Sequence, residues 1–243
     1  MMLHAGIADR RSWRQVAEVI SDVSTVVAYD RRGYGETEPS SSPFTHVDDL
    51  TAVLDATGFD SALLVRSSAG GGVALDYVLT QPERVSGILL VSPAISHTPS
   101  FENDPATALI KHEIELAENE DDVGEVNQLE TSLWLDGPSA PEERGGGSVR
   151  DLVLRMNEIA LRNEELEERP SDDVDAWESL ETIQQPTVVQ CGELDVPFVV
   201  KRSRLLAERL PNGRFELLED VAHLPFMERP NTLTRSLRNL LDA

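Results

Sequence analysis

The sequence predicts an α/β fold, a mostly parallel sheet with helices packed on both faces. Two observations carry this. Short, continuous apolar runs alternate with segments of helical periodicity, the signature of βα units. The runs are also apolar throughout instead of alternating, as strands covered on both faces require. At 243 residues, with 40% hydrophobic residues, the chain suits one sizeable domain or one domain with a large insertion.

The strands expected are Met1–Leu3, Thr25–Ala28, Ala62–Val65, Gly87–Val91, Thr187–Cys191 and Phe215–Leu218. Between them, helices are expected near Trp13–Ile20, Val47–Thr57, Gly71–Leu79, Val199–Arg209 and Thr232–Leu241. Asp48 and Asp49 suit a helix N-terminus, where backbone N–H groups favour negative charge. The rhythm breaks between Ser96 and Ile183. There, Ala106, Leu109, Ile110, Ile114 and Ala117 repeat at helical spacing, as do Val149, Leu152, Val153, Met156, Ile159 and Ala160. The domain reading is therefore a core of residues 1–95 and 184–243 with a helical cap insertion over 96–183. Asp136-Gly137-Pro138 is a turn, and Ser139–Gly147 is expected to be a mobile loop.

Composition excludes several classes. The net charge is −23, with 44 acidic against 21 basic side chains, which argues against nucleic acid and anionic membrane surfaces. A base-composition bias toward arginine over lysine, plus acidic stretches, accounts for this more simply than adaptation to high salt. No apolar run reaches the length of a membrane span, and the start has no signal-peptide pattern. One cysteine, Cys191, allows neither an intrachain disulfide nor a multi-cysteine zinc site. The expectation is a cytoplasmic protein without cofactor or metal. An EF-hand echo over Asn119–Glu130 places Val123 where an oxygen ligand belongs, and is read as coincidence.

The chemistry concentrates in Leu64-Val65-Arg66-Ser67-Ser68-Ala69-Gly70-Gly71-Gly72, where a strand breaks at a serine and resumes as a glycine-led helix. Such a turn presents a serine oxygen above a parallel sheet. The usual pattern is Gly-x-Ser-x-Gly, and Arg66 stands at the first glycine. Choosing Ser67 as the nucleophile would put Val65 and Ala69 at the two glycine positions, a worse fit than Ser68. His4-Ala5-Gly6-Ile7 follows the first strand, and Asp30-Arg31-Arg32-Gly33-Tyr34-Gly35 the second. Gly192-Glu193-Leu194-Asp195 and Ala222-His223-Leu224-Pro225 follow the last two.

In this order the pieces resemble the α/β-hydrolase superfamily over essentially the whole chain. His4-Ala5-Gly6-Ile7-Ala8-Asp9, Leu133-Trp134-Leu135-Asp136-Gly137-Pro138 and Gly192-Glu193-Leu194-Asp195 resemble its enol-lactonase-like esterase branch. The resemblance implies Ser68 as nucleophile, His223 as base and Asp195 as orienting acid. It implies an oxyanion hole of the Gly6 and Ala69 backbone N–H groups. Glu193 competes with Asp195 on spacing, and the resemblance favours Asp195. His4 is expected to brace the oxyanion loop. Trp134 is the expected substrate contact, with Met156, Trp177 and Phe101 helping to roof the pocket.

Two departures stand out. Arg66 must turn away from the helix, and is expected to find a carboxylate, since a buried unpaired charge is costly. Met1-Met2-Leu3 runs straight into His4, so two N-terminal strands of the family pattern are expected to be missing. That would leave Thr25–Ala28 at a sheet edge, where a homodimer could form. The function expected is a serine hydrolase cleaving a small ester or lactone through an acyl-enzyme. C–C bond hydrolysis or perhydrolysis would use the same residues. The alternative is a catalytically silent hydrolase-fold protein that binds a ligand or partner. A dehalogenase would need aspartate at position 68.

Overall fold

The computed structural model describes residues 1–141, 143–163 and 174–242. Five parallel strands form one sheet: β1 Met2–Leu3, β2 Ala62–Ser67, β3 Val85–Val91, β4 Thr187–Gly192 and β5 Gly213–Leu218, in the order β1-β2-β3-β4-β5. The three strands β2–β4 are almost wholly buried, which explains their unbroken apolar runs. β5 is only half-buried, as an edge strand should be.

The expected strand Thr25–Ala28 is reduced to one bridge, Met2 to Ala28, with Met2 N–H donating to the Val27 carbonyl at 2.8 Å. The two-residue β1 offers it too short a ladder for a longer pairing. The bridge still fixes the winding. Met2 pairs with Val65 on one side and Ala28 on the other. The chain therefore runs outward from β1 and returns past it to form β2. The crevice beyond the carboxyl ends of β1 and β2 is the switch point where open α/β sheets bind ligands.

Side-chain alternation along the strands feeds two cores. Leu64, Ile88 and Leu90 meet α2 (His46–Thr57), α3 (Ala69–Thr80) and α8 (Pro197–Arg209). Leu63, Val65, Leu89 and Val91 meet α1 (Arg14–Ile20), α9 (Pro225–Glu228) and α10 (Asn231–Leu241). Trp13 stacks on Phe226 in this second layer, ring centroids 4.1 Å apart. Local signals set the helix ends. Thr45 caps α2 by accepting the Asp48 N–H at 3.0 Å, and Gly58 ends it with φ 71°.

Between β3 and β4 the described residues form helices and no strand: α4 Pro105–Asn119, α5 Val123–Thr131, α6 Gly147–Asn163 and the short α7 Ala176–Ser179. A single π-helical turn, Ser132–Asp136, continues α5. Described residues of the Ser139–Gly147 loop, expected to be mobile, make several hydrogen bonds to the turn before it. The buried Asp136 carboxylate accepts N–H groups from Glu143 at 3.1 Å and Gly145 at 2.8 Å, and pairs with Arg150 at 2.9 Å. Arg144 reaches Glu228 at 2.6 Å. No described helix is long and apolar enough to cross a membrane.

Candidate active site

Ser68 sits where β2 turns into α3, with φ 49° and ψ −121°. A non-glycine residue in this region is strained, and such strain persists only where surrounding structure holds it. Here β3 does so: Ser68 N–H donates to the Val91 carbonyl at 2.9 Å, and Ala94 N–H donates to the Ser68 carbonyl at 2.9 Å. Ser67 is fully buried within the strand, whereas Ser68 is partly exposed at the turn.

The three glycines answer to close packing. A Cβ on Gly70 would lie 3.1 Å from the His4 carbonyl oxygen. One on Gly71 would collide with Pro93 at 2.6 Å, and one on Gly72 would come within 3.3 Å of the Ala94 carbonyl oxygen. The start of α3 is thereby wedged between the loops after β1 and β3. The demand for small residues falls on positions 70–72, which is why an arginine at 66 leaves the turn intact.

Arg66 itself corrects the sequence expectation. Alternating with Leu64, it points into the layer beneath α2 and α3 and is fully buried, and none of its three nitrogens has a hydrogen-bond partner. No carboxylate reaches it among the described residues. Burial pushes its guanidinium down to about 10, against the opposing influence of Tyr29, and the charge on Arg31 lowers it further. The Tyr29 and Tyr77 hydroxyls are also buried without partners.

Asp195 and His223 are brought together. The Asp195 carboxylate lies 2.9 and 3.0 Å from His223 Nδ1, and both residues are buried. Asp195 also accepts the Val196 N–H at 2.7 Å and the Cys191 thiol at 3.5 Å. Burial pushes that thiol well above its ordinary range, with Asp195 adding to the shift, so it stays a donor. The Ser92 hydroxyl donates in turn to Cys191 Sγ at 3.7 Å. Glu193 is exposed, and its carboxylate accepts the Asp220 N–H at 3.4 Å. The acid and histidine loops are laced together: Leu194 N–H donates to the Val221 carbonyl at 3.0 Å, and a side chain on Gly192 would strike the Val221 and Ala222 carbonyls.

Ser68, Asp195 and His223 all follow the carboxyl ends of parallel strands, and so share one edge of the sheet. No hydrogen bond joins Ser68 Oγ to His223 Nε2. Such bonds commonly tighten only when substrate is bound.

His4 braces the loop after β1. Its Nδ1 lies 2.8 Å from the Ala5 carbonyl oxygen, and its Nε2 lies 3.1 Å from the Arg31 backbone N, which has only a proton to give. The ring is therefore the neutral Nδ1–H tautomer. Burial, then the charge on Arg31, holds it well below the usual histidine range. Arg31 Nη2 also donates to the Ala5 carbonyl, at 3.4 Å. That carbonyl shares its peptide with the Gly6 N–H, which in a trans peptide points the opposite way. Ala69 N–H is the first unpaired donor of α3. His97 and His112 are peripheral, in weak pairs with Asp175 at 4.0 Å and Glu115 at 3.9 Å.

Of the four residues expected to roof a pocket, only Trp134 touches a site residue. Its ring lies 4.5 Å from that of His223, and its carbonyl accepts the His223 N–H at 3.2 Å. Trp177 packs in the core beneath Arg209, Met156 is buried in the second core, and Phe101 faces Lys201. Sequence reasoning missed Asp136, Cys191 and Arg31. The arginine pair after the second expected strand was the signal available for the last. No cluster of metal-ligating side chains occurs among the described residues.

Residues 1–230 match the family described as alpha/beta hydrolase fold. A pimeloyl-(acyl-carrier protein) methyl ester esterase of Salmonella newport (strain SL254) is 26% identical over 245 residues, covering 99% of this chain and 92% of that protein. The enol-lactonase from Burkholderia xenovorans LB400 superposes with a TM-score of 0.76 at 18% identity, covering all of this chain and 90% of that one. A thermophilic esterase from Thermogutta terrifontis gives 0.75 at 23% identity, with 99% and 88% coverage.

Proposed function

Because the chain belongs to the α/β-hydrolase fold family, we propose that it is a serine hydrolase cleaving a small ester or lactone through an acyl-enzyme. The observation that carries the reading is the buried Asp195–His223 pair, set on the same sheet edge as a strained, strand-to-helix serine. The ester-cleaving relative, 26% identical across almost the whole chain, supports it further.

In this reading His223 Nε2 takes the Ser68 proton as Oγ attacks the carbonyl carbon. Asp195 holds the imidazole with Nδ1 protonated and stabilises the imidazolium that forms. The oxyanion is met by the Gly6 and Ala69 N–H groups, preorganised by the braces on the Ala5 carbonyl and by α3. His223 then protonates the leaving oxygen, and water repeats the sequence on the acyl-serine. Trp134 confines the imidazole and borders the space above it.

A fluorophosphonate probe and short-chain aryl esters and lactones test this together. Labelling at Ser68, with turnover lost in Ser68→Ala, is the expected result. Folded protein that is neither labelled nor active above that control would overturn it.

A further inference from the structure

β2 sets a full charge into an apolar layer. Arg66 is 0% exposed, and its three nitrogens have no hydrogen-bond partner. Two tyrosine hydroxyls share both its condition and its place. Met2 pairs with Ala28 on one side and Val65 on the other, and Leu3 pairs with Arg66. Continuing that register by one residue puts Tyr29, Leu3 and Arg66 in one row across the sheet, on one face. Two strand spacings separate Tyr29 from Arg66, roughly 10 Å between backbones, a gap within the combined reach of the two side chains. α3 lays Tyr77, also 0% exposed, over the same face, in the cluster that holds Leu3 and packs Tyr29. The Tyr29 and Tyr77 hydroxyls are buried and unpartnered too.

Among the described residues, these surroundings supply donors and positive charge but no anion. Burial pushes the Arg66 guanidinium down only to about 10, so it stays charged at neutral pH. Arg31, whose charge Arg66 feels, has its printed hydrogen bond to a carbonyl and none to a carboxylate. Burial first, with Arg31 and Arg66 contributing, pushes His46 down to about 4, so it is neutral. Other arginines of this chain do find carboxylates, as Arg32 does with Asp49 and Arg150 with Asp136. A guanidinium in the core without a counter-charge is costly. Water satisfies a hydroxyl or an N–H group but brings no charge.

We propose that the Arg66 guanidinium and the Tyr29 and Tyr77 hydroxyls bind one small monovalent anion, a chloride or another halide. Guanidinium N–H and phenol O–H groups are all donors, which is what a halide requires. A single charge matches a single guanidinium in a closed apolar layer, whereas a doubly charged ion would leave charge uncompensated. The site is structural and stands apart from the hydrolase reading.

Thermal unfolding in sodium chloride from zero to about 0.2 M, with sodium gluconate holding ionic strength fixed, separates binding from screening of the −23 charge. The wild-type protein is expected to gain about 3 °C or more, the shift that a ligand of millimolar affinity gives. Arg66→Met should show no chloride dependence. Tyr77→Phe, which loses one oxygen, should need at least about threefold more chloride for the same shift. The methionine variant dispenses with guanidinium and anion alike, an exchange often neutral or favourable for buried ionic groups. The test therefore reads the chloride dependence and not the absolute melting temperature. Should Arg66→Met not fold, Tyr77→Phe decides alone, and an unchanged chloride requirement there counts against the site. Crystals grown in sodium bromide give the second readout, an anomalous peak within hydrogen-bond reach of Arg66 and a tyrosine hydroxyl. A wild-type melting temperature that ignores chloride, a rise shared equally by Arg66→Met, or no bromide peak at Arg66 would each overturn the proposal. A bromide peak without the shift in solution is an adventitious ion only, and overturns it as well.

Discussion

Trp134 grips His223 twice, ring on ring at 4.5 Å and carbonyl to main-chain N–H at 3.2 Å. The residue lies on the π-helical turn Ser132–Asp136, a local geometry often found at functional sites. Removing the indole should free the imidazole to rotate. Trp134→Ala is expected to lower kcat on the order of 100-fold, as small misplacements of a catalytic group do. Trp134→Phe should retain most activity. Steady-state kinetics on one ester, with circular dichroism to check folding, measures both.

Asp195 accepts from His223, Val196 and Cys191. Asp195→Asn keeps the shape but presents an amide to Nδ1, favouring the wrong tautomer. A fall in kcat on the order of 10⁴ is expected, with little change in melting temperature. A much smaller loss would return Glu193 to consideration as the acid.

Arg66 places an unpaired cation in the core. Exchanging it for an apolar side chain of similar length should stabilise the protein, by about 1–4 kcal/mol if the saving matches that for buried ionic groups in other proteins. At about 2–4 °C per kcal/mol for a chain of this size, Arg66→Met should raise the melting temperature by several degrees. Calorimetry measures this. A lower melting temperature would mean that the guanidinium has partners in solution.

Asp136 is buried and collects Arg150 and two loop N–H groups. Asp136→Asn leaves the Arg150 charge nearly buried without a counter-ion, so a loss of about 3–5 kcal/mol is expected. Urea unfolding followed by tryptophan fluorescence reads it out.

Acid should weaken the fold through His4 and His46. Both have folded-state values depressed below the ordinary 6.5, His46 to about 4. A depressed histidine contributes stability that is fully present above its unfolded value and is lost as pH falls toward its folded one. The urea midpoint should therefore drop between pH 6.5 and 4, and the drop should be shallower in His46→Asn. Equal slopes in the two proteins would remove His46 from the account.

Much of the architecture was legible because buried parallel strands write themselves as apolar runs. Ala62–Ser67, Val85–Val91 and Thr187–Gly192 all appear where those runs predict. Thr25–Ala28 looked the same but forms only a bridge, because strand formation depends on a partner of sufficient length. The Asp195–His223 meeting was implied by the family resemblance, since spacing alone left Glu193 open as the acid. The fate of Arg66 was not, since the rule that buried charges pair says nothing about whether a carboxylate can reach this layer. Trp177 and Met156 had the right composition for a pocket roof, yet they pack in the cores. Helical periodicity marks a buried face without saying what covers it.

A side chain on Gly137 would collide with the Leu194 carbonyl, so the Leu133–Pro138 turn is fitted directly onto the loop that carries Asp195. The same turn holds His223 through Trp134. Exchanging the helical segment for one from a relative is thus not a clean way to reprogram selectivity. A graft that omits these six residues would disturb the Asp195–His223 pair along with the segment exchanged. Hybrid enzymes built on this chain should place their junctions outside Leu133–Pro138.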